Sequence, residues 1–290
     1  MDLDHCRAAA VVGARRALAS FRTDIEAESK DGGVDSVTEA DRAAQREVIE
    51  RIGAAFPDET VVGEEDDASK SVPAEGPAWV VDPIDGTNNY VAGRRVWATS
   101  VARVVDGEPV AAATAAPALG DVYLADTETA WREPYRQSVA AVDERSGDPA
   151  AVEQPAEADV SQRGRLAVAS ESDPEQFFVN PLFGVDERHR RECRGVVETV
   201  LASFGDLRRL GCAQLVLAGV AAGQLHAAVS TVELNDWDTI AGVHLVRLAG
   251  GRVTDTAGDR WVPGATGLVA SNGEAHDALL STVTSAPESD

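Results

Sequence analysis

The stretch Trp79-Val80-Val81-Asp82-Pro83-Ile84-Asp85-Gly86-Thr87 decides how this chain folds. An apolar strand runs into the carboxylate of Asp82, Pro83 stiffens the exit, and a second carboxylate, Asp85, precedes Gly86-Thr87, a pair that can open a helix. The two acids are then expected on one side of a strand end, facing solvent and close enough to share hard cations. The free N–H groups of Gly86 and Thr87 can receive a phosphate oxygen, because an uncapped helix start is an anion site. An isolated Asp-x-x-Asp-Gly is more often a turn in which Asp caps a helix. The neighbouring segments reverse that balance.

Upstream, Val61-Val62-Gly63 reads as a short strand ending in Glu64 and Glu65. Downstream, Asp236-Trp237-Asp238 stands before a helical stripe of Ile240, Val243, Leu245 and Leu248. Taken singly, each acid is a solvated turn or a helix cap, commonplace in an acidic chain. Together, three element ends deliver carboxylates. Carboxylate oxygens gathered in this way suit hard cations.

The chain has 290 residues, roughly twice the usual domain length, so two domains or one large one are expected. A hydrophobic share of 44% excludes a mostly disordered chain. Asp and Glu number 49 against 26 Lys and Arg, a formal net charge of -23, which argues against nucleic-acid binding through a basic face. Lys30 and Lys70 are the only lysines. So acidic a chain repels itself in dilute buffer, and 1 M salt shortens the Debye length to about 3 Å, so a high-salt cytoplasm is expected. Cys6, Cys193 and Cys212 lie far apart in no metal-ligand spacing, which speaks against a disulfide framework or a zinc site and for a reducing cytosol. The opening residues MDLDHCRAAA are acidic where a signal peptide is basic. Cys212 to Val229, the most apolar long stretch, is interrupted by Gln214, Gln224 and His226 and reads as buried helix plus strand, not as a membrane span.

Residues 3–28 set Leu3, Cys6, Ala10, Ala14, Leu18, Phe21 and Ile25 at helical spacing. A loop is expected at Lys30–Gly33, then a helix after Val37 with Thr38 as N-cap, ending by Pro57. Short strands follow at Thr60–Gly63, Ala78–Asp82, Trp97–Val105, Pro109–Ala116 and Asp121–Leu124. Turn signals at Asp106-Gly107 and Leu119-Gly120 suggest an antiparallel meander. Beyond it the pattern is strand Leu166–Ala169, a helix after Asp173-Pro174, helix Asp186–Phe204, strand Leu207–Leu210, helix Ala213–Ala222 and strand Leu225–Ser230. Helix Trp237–Ala249, strands Arg252–Thr254 and Leu268–Ala270 and a last helix from Glu274 complete it. The division expected is an α+β domain over 1–127 with most of the acids, a loop-rich connector or insertion over 128–165, and an α/β domain over 166–290 that supplies Asp238.

In joint order, Lys30-(x4)-Asp35-Ser36-Val37-Thr38-(x2)-Asp41, Gly63-Glu64-Glu65, WVVDPIDGTNNYV from Trp79 and WDTIAGVHLVRLAGG from Trp237 resemble the inositol monophosphatase family. The resemblance spans residues 1 to about 125 and 165 to 285, and its paired DPIDGT and WDxxAG motifs are highly specific. It implies an alternating αβαβα sandwich and a Mg²⁺-dependent phosphomonoesterase acting on inositol phosphates, fructose bisphosphate or phosphoadenosine nucleotides. Glu64, Asp82 and the carbonyl of Ile84 would bind one Mg²⁺, Asp82, Asp85 and Asp238 a second, and Glu64 a weaker third. Thr87, supported by Asp41, would orient the attacking water with Glu64. Asp85 and Asp238 would face the substrate hydroxyls, and the amides of Gly86 and Thr87 would cradle the phosphate. Gly211-Cys212-Ala213 matches the family's substrate-contacting loop in position, although a tight turn between elements explains it equally well.

Two departures qualify the resemblance. Thr231 stands where members that prefer inositol phosphate carry a Glu, with Glu233 two residues on, and the small-residue turn after the meander is replaced by Tyr123–Trp131, so that hairpin is expected to be remodelled. The implied partner is a small phosphorylated polyol or sugar, with no nucleic acid or membrane, and the implied assembly is a homodimer. The competing readings are a phosphoadenosine phosphate phosphatase of the same fold and a non-catalytic scaffold member. The sequence holds no Walker A loop and no GxSxG elbow.

Overall fold

The computed structural model describes residues 2–23, 27–29, 36–65, 68–136 and 163–285. Small residues open the chain: α1 (Asp2–Ser20) buries Ala9, Ala10, Gly13, Ala14 and Ala17. An antiparallel pair, β1 (Ala27–Ser29) and β2 (Ser36–Thr38), leads into α2 (Glu39–Gly53). The helix expected over 3–28 therefore stops at Ser20. Arg22 adopts a left-handed φ of 63°, its Nε donates to Gly93 O at 2.9 Å, and Thr23 Oγ1 ties back to Ser20 O at 2.7 Å, which turns the chain out of the helix. Lys30, Asp35 and the Thr38 side chain lie outside the described residues.

A seven-stranded sheet follows in sequence order. Its members are β3 (Thr60–Gly63), β4 (Pro77–Asp85), β5 (Ala98–Val105), β6 (Glu108–Ala116), β7 (Asp121–Ala125), β8 (Ala130–Pro134) and β9 (Gly164–Arg165), with a short α3 (Thr87–Val91) after β4. Only β3–β4 is parallel; the rest is the meander expected. Asp106 and Gly107, at φ 51° and 77°, give the β5–β6 hairpin the left-handed turn that matches strand twist. Strands β8 and β9 fall within the segment expected to be loop-rich. Asp126 Oδ1 accepts the N–H groups of Glu128 and Thr129, both at 2.7 Å, and closes a tight turn, after which Ala130 and Trp131 are buried, so a few apolar residues suffice for pairing. Residues 137–162 lie outside the described residues.

The second sheet runs β11-β10-β12-β14-β13. Along the chain come β10 (Phe178–Pro181), α4 (Glu187–Ser203), β11 (Asp206–Leu207), α5 (Ala213–Ala221), β12 (Ala227–Ser230), α6 (Asp236–Leu248), β13 (Arg252–Thr254), β14 (Leu268–Ser271) and α7 (His276–Thr284). Two expectations fail here. Leu166–Ala169 is no strand: Leu166 N bonds Ala130 O and Val168 N bonds Ala249 O, one contact to each side, and no ladder forms. The helix after Asp173-Pro174 is a single 3₁₀ turn over Pro174–Gln176, because β10 begins at Phe178 and pairs in parallel with β11 and β12.

Alternation along the strands fixes the layers. Trp79, Val81, Val101 and Ala113 pack with Ala10, Ala14 and Val48 of α1 and α2, whereas Val80, Ala102 and Ala112 pack with Leu217 and Val243 of α5 and α6. Ala228 and Ala270 share that second core, while Val179, Val229 and Val269 turn to Val196, Val200 and Leu279 of α4 and α7. The result is an αβαβα stack. Its central helical layer is close-set: a Cβ on Gly242 of α6 would lie 2.4 Å from Leu217 Cβ of α5.

Candidate active site

The acids meet where β4 departs from strict alternation. Asp82 pairs with Ser100 and Asp85 with Ala98, so three steps on β4 oppose two on β5: a bulge centred on Pro83 and Ile84. Without it, residues three apart would face opposite sides. With it, Ile84 enters the core beside Ala17, Ala44 and Tyr90, and Asp85 turns to α5. Pro83 is therefore no strand exit. It sits inside β4 at the irregularity, where a missing N–H costs least, and its carbonyl accepts Thr99 Oγ1 at 2.7 Å.

Asp82, Asp85 and Asp238 each present a carboxylate oxygen, and these oxygens lie within 4.8 Å of one another. Both oxygens of Asp82 are buried with no hydrogen-bond partner. Burial, followed by the charges of Glu64, Asp85, Asp238 and Asp41, holds the Asp82 carboxyl well above the usual carboxylate range. Glu64, on the turn after β3, is thus within electrostatic reach. Asp238 is half-buried in the first turn of α6, where its Oδ2 accepts Asn235 Nδ2 at 2.9 Å.

Asp85 is not in the solvent-facing position expected. It is 6% exposed, and its carboxylate accepts Ala213 N at 3.1 Å, Gln214 N at 2.5 Å and the Cys212 thiol at 3.1 Å. A strand-borne acid caps the start of α5, satisfying N–H groups that the helix leaves unpaired. Burial raises its pKa against the lowering effect of these three bonds.

At the end of β4, Gly86 takes φ 86°, and a Cβ there would lie 3.0 Å from both Gly211 O and Val96 O, so only glycine lets the Gly211 loop close over it. Thr87 Oγ1 then lies 3.2 Å from Asp41 Oδ1 of α2 and 3.0 Å from Ile84 O. Thr87 and Asp41 are both buried.

The profile of the inositol monophosphatase family matches residues 3–288. This chain belongs to that family. The fructose-1,6-bisphosphatase/inositol-1-monophosphatase of Thermotoga maritima is 32% identical over 257 residues, 88% of this chain and 85% of its own length. The inositol-1-monophosphatase ImpA of Mycolicibacterium smegmatis is 33% identical over 258 residues, 87% of this chain and 82% of its own. Among solved structures, an inositol monophosphatase of Thermotoga maritima superposes with a TM-score of 0.76 at 28% identity, covering 96% of this chain and 94% of that one.

The structure thus brings Asp82, Asp85 and Asp238 together, with Glu64 within electrostatic reach of Asp82, and it places Cys212 and Ala213 against Asp85. Residues that the motif reading passed over hold the frame. Asn89 Nδ2 reaches Val96 O and Leu210 O at 2.8 Å and Gly211 O at 3.1 Å, and Gln214 Nε2 donates to Trp237 O at 2.6 Å. The only hint in the sequence is a polar side chain in an otherwise apolar run, such as Gln214 before Leu-Val-Leu. The hairpin at Tyr123–Trp131 is β7–β8, with Asp126 forming the turn and its carbonyl 2.6 Å from His244 Nε2 of α6. Among the described residues, no helix is long and apolar enough to cross a membrane.

Proposed function

We propose that this chain is a Mg²⁺-dependent phosphomonoesterase acting on inositol monophosphate and on sugar phosphates including fructose 1,6-bisphosphate. The observation that carries this reading is Asp82. A buried carboxylate without a partner costs several kcal/mol unless a proton or a cation joins it, and here Asp85, Asp238 and Glu64 supply the further hard oxygen donors that a cation requires. Glu64, Asp82 and the Ile84 carbonyl would hold one ion, Asp82, Asp85 and Asp238 a second, and Glu64 a weaker third. Bound Mg²⁺ supplies Lewis acidity that eases ionisation of a water and offsets charge on the phosphoryl oxygens.

The chain's own groups do the positioning. Thr87 gives its one hydroxyl proton to Asp41 or Ile84 O, which leaves its oxygen free to accept a bond from the attacking water and orient it together with Glu64. The amides of Gly86 and Thr87 receive phosphate oxygens. Asp85, anchored on the start of α5, and Asp238 would face the substrate hydroxyls, with Gly211, Cys212 and Ala213 beside Asp85. Residues 1–127 supply most of the acids, and residues 166–290 close the site with Asp238.

The breadth of substrate is supported by Thr231, whose hydroxyl bonds Glu192 Oε2 at 3.3 Å and offers no carboxylate to a polyol, and by the dual name of the Thermotoga maritima relative. A reducing, high-salt cytoplasm and a homodimer complete the reading. Phosphate release from inositol 1-phosphate, fructose 1,6-bisphosphate and phosphoadenosine phosphate, assayed in molar KCl with Mg²⁺, tests it. Release from the first two is expected; release from none would overturn it in favour of a scaffold role.

A further inference from the structure

We infer that Lys70 is a positioning residue: its ammonium locks the backbone that carries Glu64, ties it to the helix start that carries Asp238, and so sets the affinity of the acid cluster for divalent ions. The inference rests on the phosphatase reading above.

Lys70 Nζ lies 3.0 Å from Gly63 O, 2.8 Å from Glu64 O and 2.8 Å from Glu65 O. Three consecutive carbonyls thus converge on one nitrogen, and an ammonium has three N–H donors to meet them. A guanidinium spreads its donors in a planar fork over several nitrogens and cannot reproduce that arrangement from one atom. This accounts for a compositional oddity. Of 26 Lys and Arg only two are lysines, and Lys70 stands where the geometry calls for an ammonium.

The same nitrogen sits 5.6 Å from the ring centroid of Trp237, the neighbour of Asp238. Two residues past Lys70, Val72 N donates to Asp236 Oδ2 at 3.2 Å, so the segment is fastened to the first turn of α6 twice. On its other flank, Glu65 N donates to Gln45 Oε1 of α2 at 3.0 Å, while Gly63 N bonds Ser69 O and Ser69 N bonds Val61 O, both at 3.0 Å. Ser69 therefore lies alongside β3 in a parallel bridge with Val62, and Lys70 next to it is the clasp.

Clasping matters because the acids repel one another in the absence of a cation. Glu64 stands on a turn, where a shift of the backbone would relieve that repulsion, whereas Asp82 is fixed in the β4 ladder. Holding the Glu64 backbone in place before an ion arrives lowers the ordering cost of binding it. Partners one step removed from a ligand typically change metal affinity by about 10–100-fold when lost.

The test is Mn²⁺ binding to the full chain, read from the paramagnetic resonance of free Mn²⁺, for wild type, Lys70→Met and Lys70→Arg. Lys70→Met is expected to bind about tenfold more weakly. Lys70→Arg, which keeps the charge and the stacking on Trp237, is expected to remain weakened by about fivefold, since it cannot serve three carbonyls from one atom. Turnover of Lys70→Met should recover at saturating Mg²⁺ with KM for the phosphate ester unchanged, a split that general loss of structure does not produce. If Lys70→Met fails to fold, Lys70→Arg decides alone. Wild-type affinity in both variants, or in Lys70→Arg alone, would overturn the inference and leave the phosphatase reading standing. A wild-type protein that binds no Mn²⁺ would overturn that reading and the inference with it.

Discussion

The carboxylate of Asp85 accepts the backbone N–H of Gln214 at 2.5 Å, across 129 positions of chain. One acid therefore belongs to the cluster with Asp82 and Asp238 and also caps α5. Asp85→Asn would turn an amide N–H₂ toward N–H donors. A loss of about 1–3 kcal/mol is expected, read as a lowered Tm, together with a fall in turnover of about 100-fold or more. An Asp85→Asn protein as stable as wild type would show that the cap does not hold α5.

Thr87 and Asp41 give a cleaner separation of chemistry from folding. Thr87→Val keeps the shape of the side chain but removes the hydroxyl, and kcat should fall by about 10²–10⁴-fold while KM changes little. Thr87→Ser should retain most of the turnover. Unchanged kcat in Thr87→Val would remove the hydroxyl from the mechanism.

The pH dependence follows from Asp82, whose carboxyl is raised by burial first and then by the charges of Glu64, Asp85, Asp238 and Asp41. The folded protein keeps this proton to a higher pH than the unfolded chain, where the value is 3.8. Its contribution to stability is therefore full at low pH and is lost as pH rises through the raised value. Mg²⁺ competes with that proton, so the increase in Tm on adding Mg²⁺ should grow as pH rises above the usual carboxylate range. A pH-independent increment would contradict this.

Salt dependence follows from the net charge of -23. Dialysis from molar KCl into dilute buffer lengthens the Debye length from about 3 Å to about 30 Å and exposes the chain to its own repulsion. Unfolding or inactivation is expected by circular dichroism and activity; full retention of both would end the high-salt reading.

What the sequence made legible was tied to covalent neighbours. Strands Thr60–Gly63 and Arg252–Thr254 carry their turn signals beside them, and the motif acids stand at element ends. The end of α1 was hidden because Phe21 continues the apolar spacing while Arg22 takes a left-handed backbone. Strand β10 was hidden because Phe178–Pro181 is defined by partners about 28 and 48 positions away, Asp206 and Ala227 among them. The bulge that brings Asp82 and Asp85 to one side is a matter of pairing register, and register with β5 leaves no mark in β4 alone. The same holds for the cap on α5: nothing near Gln214 announces that Asp85 will serve it.

Calorimetric titration of Mg²⁺ into metal-stripped protein and into Asp82→Asn, repeated in buffers of different ionisation enthalpy, tests the account at its centre. Saturable binding with proton release by the wild type, abolished in Asp82→Asn, is the predicted result. No binding by the wild type, or equal binding by the folded Asp82→Asn protein, would contradict it.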